Sequence, residues 1–222
     1  MPVYGLSEEI IFPHPSLADE DGLLAIGGDL SPERIIEAYK NGIFPWYNKG
    51  EPILWWSPNP RCVLFPEKFK PSKSLTAIIR KNIFEVRFDT QFKAVIENCA
   101  KIQRPGQPGT WISDDIKNAY IKLHEMGFAH SAETYKNNEL VGGLYGVAIG
   151  KVFYGESMFY KLPNASKIAF FFLIEILKQH DFEIIDNQMT TKLLLSFGAE
   201  VISRDNFLQI LKKAIKIDEV KS

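Results

Sequence analysis

The densest run of apolar positions lies between Val152 and Phe172, VFYGESMFYKLPNASKIAFFF. Val152 to Phe159 is aromatic-rich and predicts a strand. Pro163 and Asn164 punctuate it, and Ala165 to Lys178 predicts a helix. Ile168, Phe170, Phe171, Phe172, Leu173, Ile174, Ile176 and Leu177 cover more than one stripe of that helix. A helix apolar on most sides is wrapped by the fold or lines an apolar pocket. Glu156 interrupts the strand, where a carboxylate is costly unless paired. A plain buried helix accounts for most of the pattern, and the carboxylate beside it makes a pocket the second reading.

Elsewhere the periodicity is more ordinary. Leu23 to Leu30 reads as a short strand entering a Gly-Gly turn. Ser31-Pro32-Glu33 starts a helix that ends at Gly42. The segment GIFPWYNKGEPILWWSPNPR holds Phe44, Trp46, Tyr47, Trp55 and Trp56 in a frame fixed by prolines. It is either a small satellite core or a surface on which a ring stacks. Cys62 to Phe65 reads as a strand and Ser72 to Arg80 as a helix with Leu75, Ile78 and Ile79 inward. From Phe84 the order becomes regular: a strand, a helix capped by Thr90, a Pro/Gly-rich loop over 101–110, and a helix capped by Ser113 with Asp114 and Asp115 in its first turn. A hairpin with an Asn137-Asn138 turn follows, then the Val152 strand and its apolar helix. A strand from Phe182 to Asn187, a short helix from Thr190, a strand from Ala199 and a closing helix from Arg204 to Lys216 complete the chain. The resulting order, β α α β β β α β α β and a last helix, defines an α+β fold with a mixed sheet. A small N-terminal domain (1–62) precedes a larger domain (63–222).

With 222 residues, 45% hydrophobic and 24% charged, the chain can build a proper core and is not disordered. A formal net charge of −1 means that any nucleic-acid contact must come from a local patch. Lys68, Lys70, Lys73, Arg80 and Lys81 form one candidate against the single acid Glu67; it is either a solvated face or a phosphate-contacting patch. Cys62 and Cys99 lack any paired spacing and read as reduced core residues of a cytoplasmic protein, and the four histidines are scattered, with no zinc spacing. The N-terminus has no signal-peptide pattern, and IAFFFLI is too short to cross a bilayer.

The crossover from the Val152 strand through the apolar helix to the Phe182 strand predicts a right-handed parallel unit, and ligands of open sheets favour the edge where parallel strands end. Glu156 lies near one such end, Asp186 and Gln188 near the other. Two apart on an extended strand, Asp186 and Gln188 share a face. The three either converge above the apolar helix or merely mark strand ends at solvent. Converged, they suit attack of an amine on a carbonyl: carboxylates take up its proton and an amide donates to a developing oxyanion. No Ser-His or Cys-His signature points to a covalent acyl-enzyme.

The element order is shared with acetyl-coenzyme A-dependent N-acetyltransferases, but the turn YKLPNAS lacks the glycine that a pyrophosphate cradle needs. The segments GLLAIGGDLSPERIIEAYKNGIFPWY, PILWWSPNPR, GTWISDDIKNAYIKLHEMGFAHSAE, LVGGLYGVAIGKVFYGESMF, NASK and IDNQ together resemble bacterial leucyl/phenylalanyl-tRNA–protein transferases over nearly the whole chain. The resemblance implies a small N-terminal domain on an N-acetyltransferase-like catalytic domain. It implies transfer of Leu or Phe, with Met as a further donor residue, from aminoacyl-tRNA to proteins beginning with Arg or Lys, which marks them for degradation. No metal or nucleotide cofactor is implied, and the expected form is a cytoplasmic monomer. Asp186, Gln188 and Glu156 match the family's catalytic positions. Asp186 would assist deprotonation of the amine while Gln188 positions the reacting groups, or the tRNA's terminal ribose hydroxyl would carry more of that work. Trp46 and Trp111 match aromatics at the terminal adenosine. Tyr120, Leu144, Met158, Phe170, Leu173, Leu177 and Ile185 match substrate-binding positions, most of them in the aminoacyl side-chain pocket. Lys73, Arg80 and Lys81 match the cluster that holds the acceptor stem, with Ala77 where the family often has a basic residue and Lys68 and Lys70 near enough to share the task. A coenzyme A-dependent acetyltransferase and a non-catalytic tRNA-binding module are the competing readings.

Overall fold

In a computed structural model, which describes residues 3–102 and 110–216, the chain forms two sheets. The smaller joins β1 (Tyr4–Leu6), β2 (Leu23–Gly27), β3 (Phe44–Pro45) and β4 (Leu54–Trp56) in the order β1-β2-β4-β3, with α1 (Pro32–Lys40) between β2 and β3. The segment rich in prolines and aromatics therefore contains paired strands that its irregular pattern hid. Trp55 is fully buried beside β2, with Nε1 donating to Gly27 O at 2.9 Å, whereas Trp46 is 39% exposed and meets Trp56 edge-on at 5.6 Å. Phe44, Tyr47 and Trp55 are core, as the first reading of this stretch expects, whereas Trp46 is at the surface.

The remaining elements are β5 (Arg61–Leu64), α2 (Lys73–Arg80), β6 (Glu85–Phe88), α3 (Phe92–Lys101), α4 (Asp114–Glu125), β7 (Ala129–Lys136), β8 (Glu139–Ile149), β9 (Val152–Tyr160), α5 (Ala165–Gln179), β10 (Ile184–Gln188), α6 (Lys192–Ser196), β11 (Glu200–Ile202) and α7 (Arg204–Lys216). Their order from β6 onward is the expected one. The larger sheet runs β11-β5-β10-β9-β8-β7-β6. Within it β9 and β10 are parallel, as the crossover through α5 requires, and the other pairs are antiparallel. The division drawn after residue 62 passes through β5, because Arg61 and Cys62 pair with β11. Asn137 and Asn138 have φ of 51° and 64°, as a tight hairpin of this twist demands. The loop expected over 101–110 lies mostly outside the described residues.

Helices cover both faces of this sheet. The apolar residues of α1, α3, α4 and α7 pack with Val147, Val152, Tyr154, Phe159 and Ile184 on one face. Those of α2, α5 and α6 pack with Leu144, Phe153 and Ile185 on the other. The apolar girth of α5 is thus explained by wrapping. Its Ile168, Ala169, Phe170, Leu173, Ile174 and Leu177 are buried, and Phe171, Phe172 and Ile176 are partly covered.

Two helix starts differ from expectation. Thr90 does not cap α3; its hydroxyl and N–H, and the N–H of the N-cap Gln91, all go to Glu133 of β7. That carboxylate is buried and is stabilised by the orphan donors of the helix start. The short helix α6, expected to begin at Thr190, begins at Lys192 and is capped by Thr191.

The start of α5 sits hard against β8. A Cβ on Gly142 would stand 2.5 Å from Ala165 Cβ and 2.8 Å from its carbonyl carbon. Gly142→Ala is expected to destabilise the fold by ~1–3 kcal/mol through overpacking. Urea unfolding of the two proteins measures this; coincident midpoints would mean that α5 moves aside without cost.

Candidate acyl-transfer site

Two bulges place the polar residues. Tyr145 pairs with Ser157 and Gly146 with Gly155, so Glu156 is an extra residue in β9. The extra residue reverses the alternation of side chains, which is why Phe153 and Met158, five apart, both join the α5 face. In β10, Asp186 pairs with Val63 and Gln188 with Cys62, which makes Asn187 the inserted residue and leaves Gln188 with φ of 60°. The strand is therefore not extended from Asp186 to Gln188, contrary to expectation. The parallel ladder itself ends at Tyr154 and Asp186, and beyond it the two strands part.

Side chains bridge the opening. Gln188 Nε2 donates to Glu156 Oε1 at 3.0 Å. Tyr39 of α1 donates to the same oxygen at 2.6 Å, and Tyr120 of α4 to Oε2 at 3.3 Å, with the two hydroxyls 2.5 Å apart. Tyr154 holds Tyr39 in turn: its hydroxyl donates to Tyr39 O at 2.8 Å, and their rings lie 4.6 Å apart. Burial pushes the Glu156 carboxyl up from 4.5 to about 7; bonds from Tyr39, Gln188 and Tyr120 oppose that rise, and Asp186 adds to it. Burial, then the neighbouring Glu156, drives the Tyr39 and Tyr120 hydroxyls well above the usual tyrosine range.

Asp186 is engaged differently. It is fully buried and paired end to end with Arg61, Nε to Oδ1 at 2.8 Å and Nη2 to Oδ2 at 2.6 Å. The guanidinium lies over Phe44 at 4.9 Å and Phe207 at 4.7 Å. Asp186 Oδ1 also accepts the Gln188 N–H at 3.0 Å, which fixes the bulge. A carboxylate so engaged is not a free acceptor for an incoming amine.

The three polar residues do converge, but on the face of the sheet opposite α5, beside α1, α4 and α7. Leu144, Met158, Phe170, Leu173, Leu177 and Ile185 gather on the α5 face, Met158 half-buried and the rest 5% exposed or less. The parted strands separate the two groups. Tyr120, grouped from the sequence with the substrate-binding residues, is fully buried and reaches the site through Glu156; Trp111 is also buried, at 7% exposure. Lys73, Arg80 and Lys81 are exposed at the ends of α2, Lys73 and Arg80 separated by roughly 10 Å along the axis. Lys68 pairs with Glu200 at 2.6 Å and lies over Phe65, with 56% of its side chain exposed. A surface groove of about 480 Å³ lies apart, bordered by Tyr47, Glu51, Ile53, Asp115, Asn118 and Lys122 and by none of the catalytic positions.

Sequence reasoning gave no role to Arg61 or Tyr39. Signals existed for both: an arginine opening a strand as apolar as RCVL needs a buried anion, and a tyrosine in the apolar stripe of a helix needs a partner for its hydroxyl.

A mixed sheet with a carboxylate–amide bridge just beyond its parallel ladder is an arrangement that could serve acyl transfer to an amine. The comparisons with known proteins make the class specific. The family description "Leucyl/phenylalanyl-tRNA protein transferase" matches residues 63–212, and its N-terminal domain matches 28–59. Relatives of that name are 54% identical in Desulfatibacillum aliphaticivorans, over 100% of this chain and 95% of theirs, and 55% identical in Hydrogenovibrio crunogenus, over 93% and 82%. A GCN5-related N-acetyltransferase from Kribbella flavida is a distant structural likeness, 8% identical with a TM-score of 0.37 over 76% of this chain and 60% of that one. This chain belongs to the leucyl/phenylalanyl-tRNA–protein transferase family and is a transferase.

The raised Glu156 value has a consequence for stability. The folded protein holds this proton more tightly than the unfolded chain does. The contribution of the group is therefore full below 4.5 and is lost as pH rises through about 7. The stability of Glu156→Gln relative to the parent is expected to increase between those values and then level off. Urea midpoints across that range test it; a constant difference would show that Glu156 keeps its ordinary affinity for protons.

Proposed function

We propose that the chain transfers Leu or Phe from aminoacyl-tRNA to the N-terminal amine of proteins that begin with Arg or Lys. The observation that carries the reading is the Glu156–Gln188 bridge across the parted strands, with an apolar cluster behind the opening. The aminoacyl side chain enters that cluster from the α5 side. The acceptor amine approaches the partly exposed Glu156 and Gln188, where Glu156 attracts its cationic neighbour; Asp186, neutralised by Arg61, adds little to that attraction.

The ester is already activated, so orientation supplies most of the rate. The amine lone pair attacks the ester carbon, the carbon–oxygen bond to the ribose breaks, and a peptide bond forms. A carboxyl with a value of about 7 exchanges protons readily at neutral pH, so Glu156 takes the proton that the amine loses and returns it to the departing ribose oxygen. Gln188 orients Glu156, and Asp186 orients Gln188. Trp46, exposed and braced by Trp56, offers a ring on which the terminal adenosine stacks. Lys73, Arg80 and Lys81 take phosphates of the acceptor stem, which position the tRNA without reading its sequence. Leu- and Phe-tRNA are cytoplasmic molecules, which sets the compartment.

The test is transfer of radiolabelled Leu or Phe from charged tRNA to an Arg-initiated peptide. Glu156→Gln is expected to lower the transfer rate by about 10²–10⁴-fold while tRNA binding is kept; transfer at the parent rate would remove Glu156 from the chemistry. Reversing charge at Lys73 and Arg80 together should weaken tRNA binding and flatten the logarithmic salt dependence by about two units. An unaltered salt slope in filter binding would take α2 out of the tRNA surface.

A further inference from the structure

Asn187, inserted by the bulge in β10, has a side chain that the bridge does not use. Its Oδ1 lies alongside Gly155, where a Cβ would stand 3.6 Å away. Gly155 follows Tyr154, which faces α1, so a side chain there would point toward the α5 side, just past the last paired residues of β9 and β10. Asn187 Nδ2 is shielded from solvent and has no hydrogen-bond partner among the described residues. A buried amide donor without an acceptor is a cost that a fold carries where an acceptor arrives from outside. Both oxygens of Asp186 are taken, and Gln188 Nε2 is already on Glu156. Arg61 Nη1 also lacks a partner among the described residues, but its guanidinium is held by Asp186 between Phe44 and Phe207, which leaves Asn187 as the donor beside Gly155.

We propose that Asn187 is a further catalytic residue, whose Nδ2–H donates to the carbonyl oxygen of an aminoacyl ester lying in the gap between β9 and β10. The inference rests on the transfer reading above. With the aminoacyl side chain on the α5 face and the amine beside Glu156 on the other, the ester carbon has to sit in the opening itself, bordered by Gly155 and Asn187. As the carbon–nitrogen bond forms, the carbonyl π pair moves onto oxygen, and the Asn187 N–H meets that negative charge. When the pair returns, the bond to the ribose oxygen breaks, and that oxygen leaves with the proton given up by the amine. Gly155 keeps the approach clear of a side chain.

The decisive comparison is between Asn187→Val and Asn187→Thr, which have nearly the same shape and differ by one hydroxyl donor. Single-turnover transfer from Phe-tRNA to an Arg-initiated peptide is measured with enzyme in excess, alongside binding of uncharged tRNA. Asn187→Val is expected to transfer about 10²–10³-fold more slowly than the parent, the effect of removing one oxyanion donor. Asn187→Thr should recover part of that loss, and all three should bind uncharged tRNA alike. Equal transfer rates for the Val and Thr variants would overturn the assignment. Absence of transfer by the parent would instead overturn the reading on which it rests.

Discussion

The buried pair between Arg61 and Asp186 is the contact on which the reactive part of this protein depends. Both groups are withdrawn from water, and removing either alone would strand the other at a cost of ~3–5 kcal/mol. The pair ties the first residue of β5 to the tip of β10. Phe44 from the small sheet and Phe207 from α7 clasp the guanidinium between them. Because Asp186 also receives the Gln188 N–H, the same pair fixes the bulge and hence the direction of the Gln188 amide. A carboxylate that looks like a base in the sequence is, in the fold, the peg on which the neighbouring amide is hung.

Glu156 shows the complementary logic. Its environment is dry enough to favour the neutral acid, yet three donors favour the anion, and the balance falls near neutrality. Those donors come from α1, α4 and β10, which are distant in sequence and converge on this carboxylate. Tyr39 belongs to the N-terminal segment, and Tyr154 of the large sheet holds it in place. The N-terminal segment is thus a wall of the site as well as a fold of its own. Loosening that wall would alter the proton affinity of Glu156 without touching any residue of the large sheet.

Most of the architecture was legible in the chain because it rests on local rules. Ser31 and Ser113 cap helices through their side chains, Asn137 and Asn138 turn a hairpin, and the apolar girth of α5 announces a wrapped helix. What was not legible depends on single inserted residues. Nothing in VFYGESMF says that Glu156 is a bulge rather than one more pleat, and that one residue decides which face of the sheet carries the chemistry. The same holds for Asn187, whose insertion turns Gln188 toward Glu156. Pairings across 125 residues, such as Arg61 with Asp186, leave only the indirect sign of a charge in an apolar run. Resemblance to a family supplied the positions of the trio; the geometry supplied their division of labour.

The polar trio and the apolar cluster lie on opposite faces of one sheet, which for the proposed function carries a further consequence for specificity. On the proposed reading, the acceptor is chosen by charge at Glu156 and the donor by shape on the α5 side, and the two choices share no residue except those in the opening. Shape alone is a weak discriminator, worth ~1–3 kcal/mol per methylene, and only if the walls do not yield. Here they are backed: Phe170 stacks on Phe197 at 5.6 Å and meets Phe69 at 6.0 Å, and Phe69 meets Phe197 at 5.4 Å. A wall of interlocked rings cannot shift to accept a branch without breaking several contacts at once. On the proposed reading, selection for Leu and Phe therefore resides as much in the rings behind the apolar cluster as in its own residues.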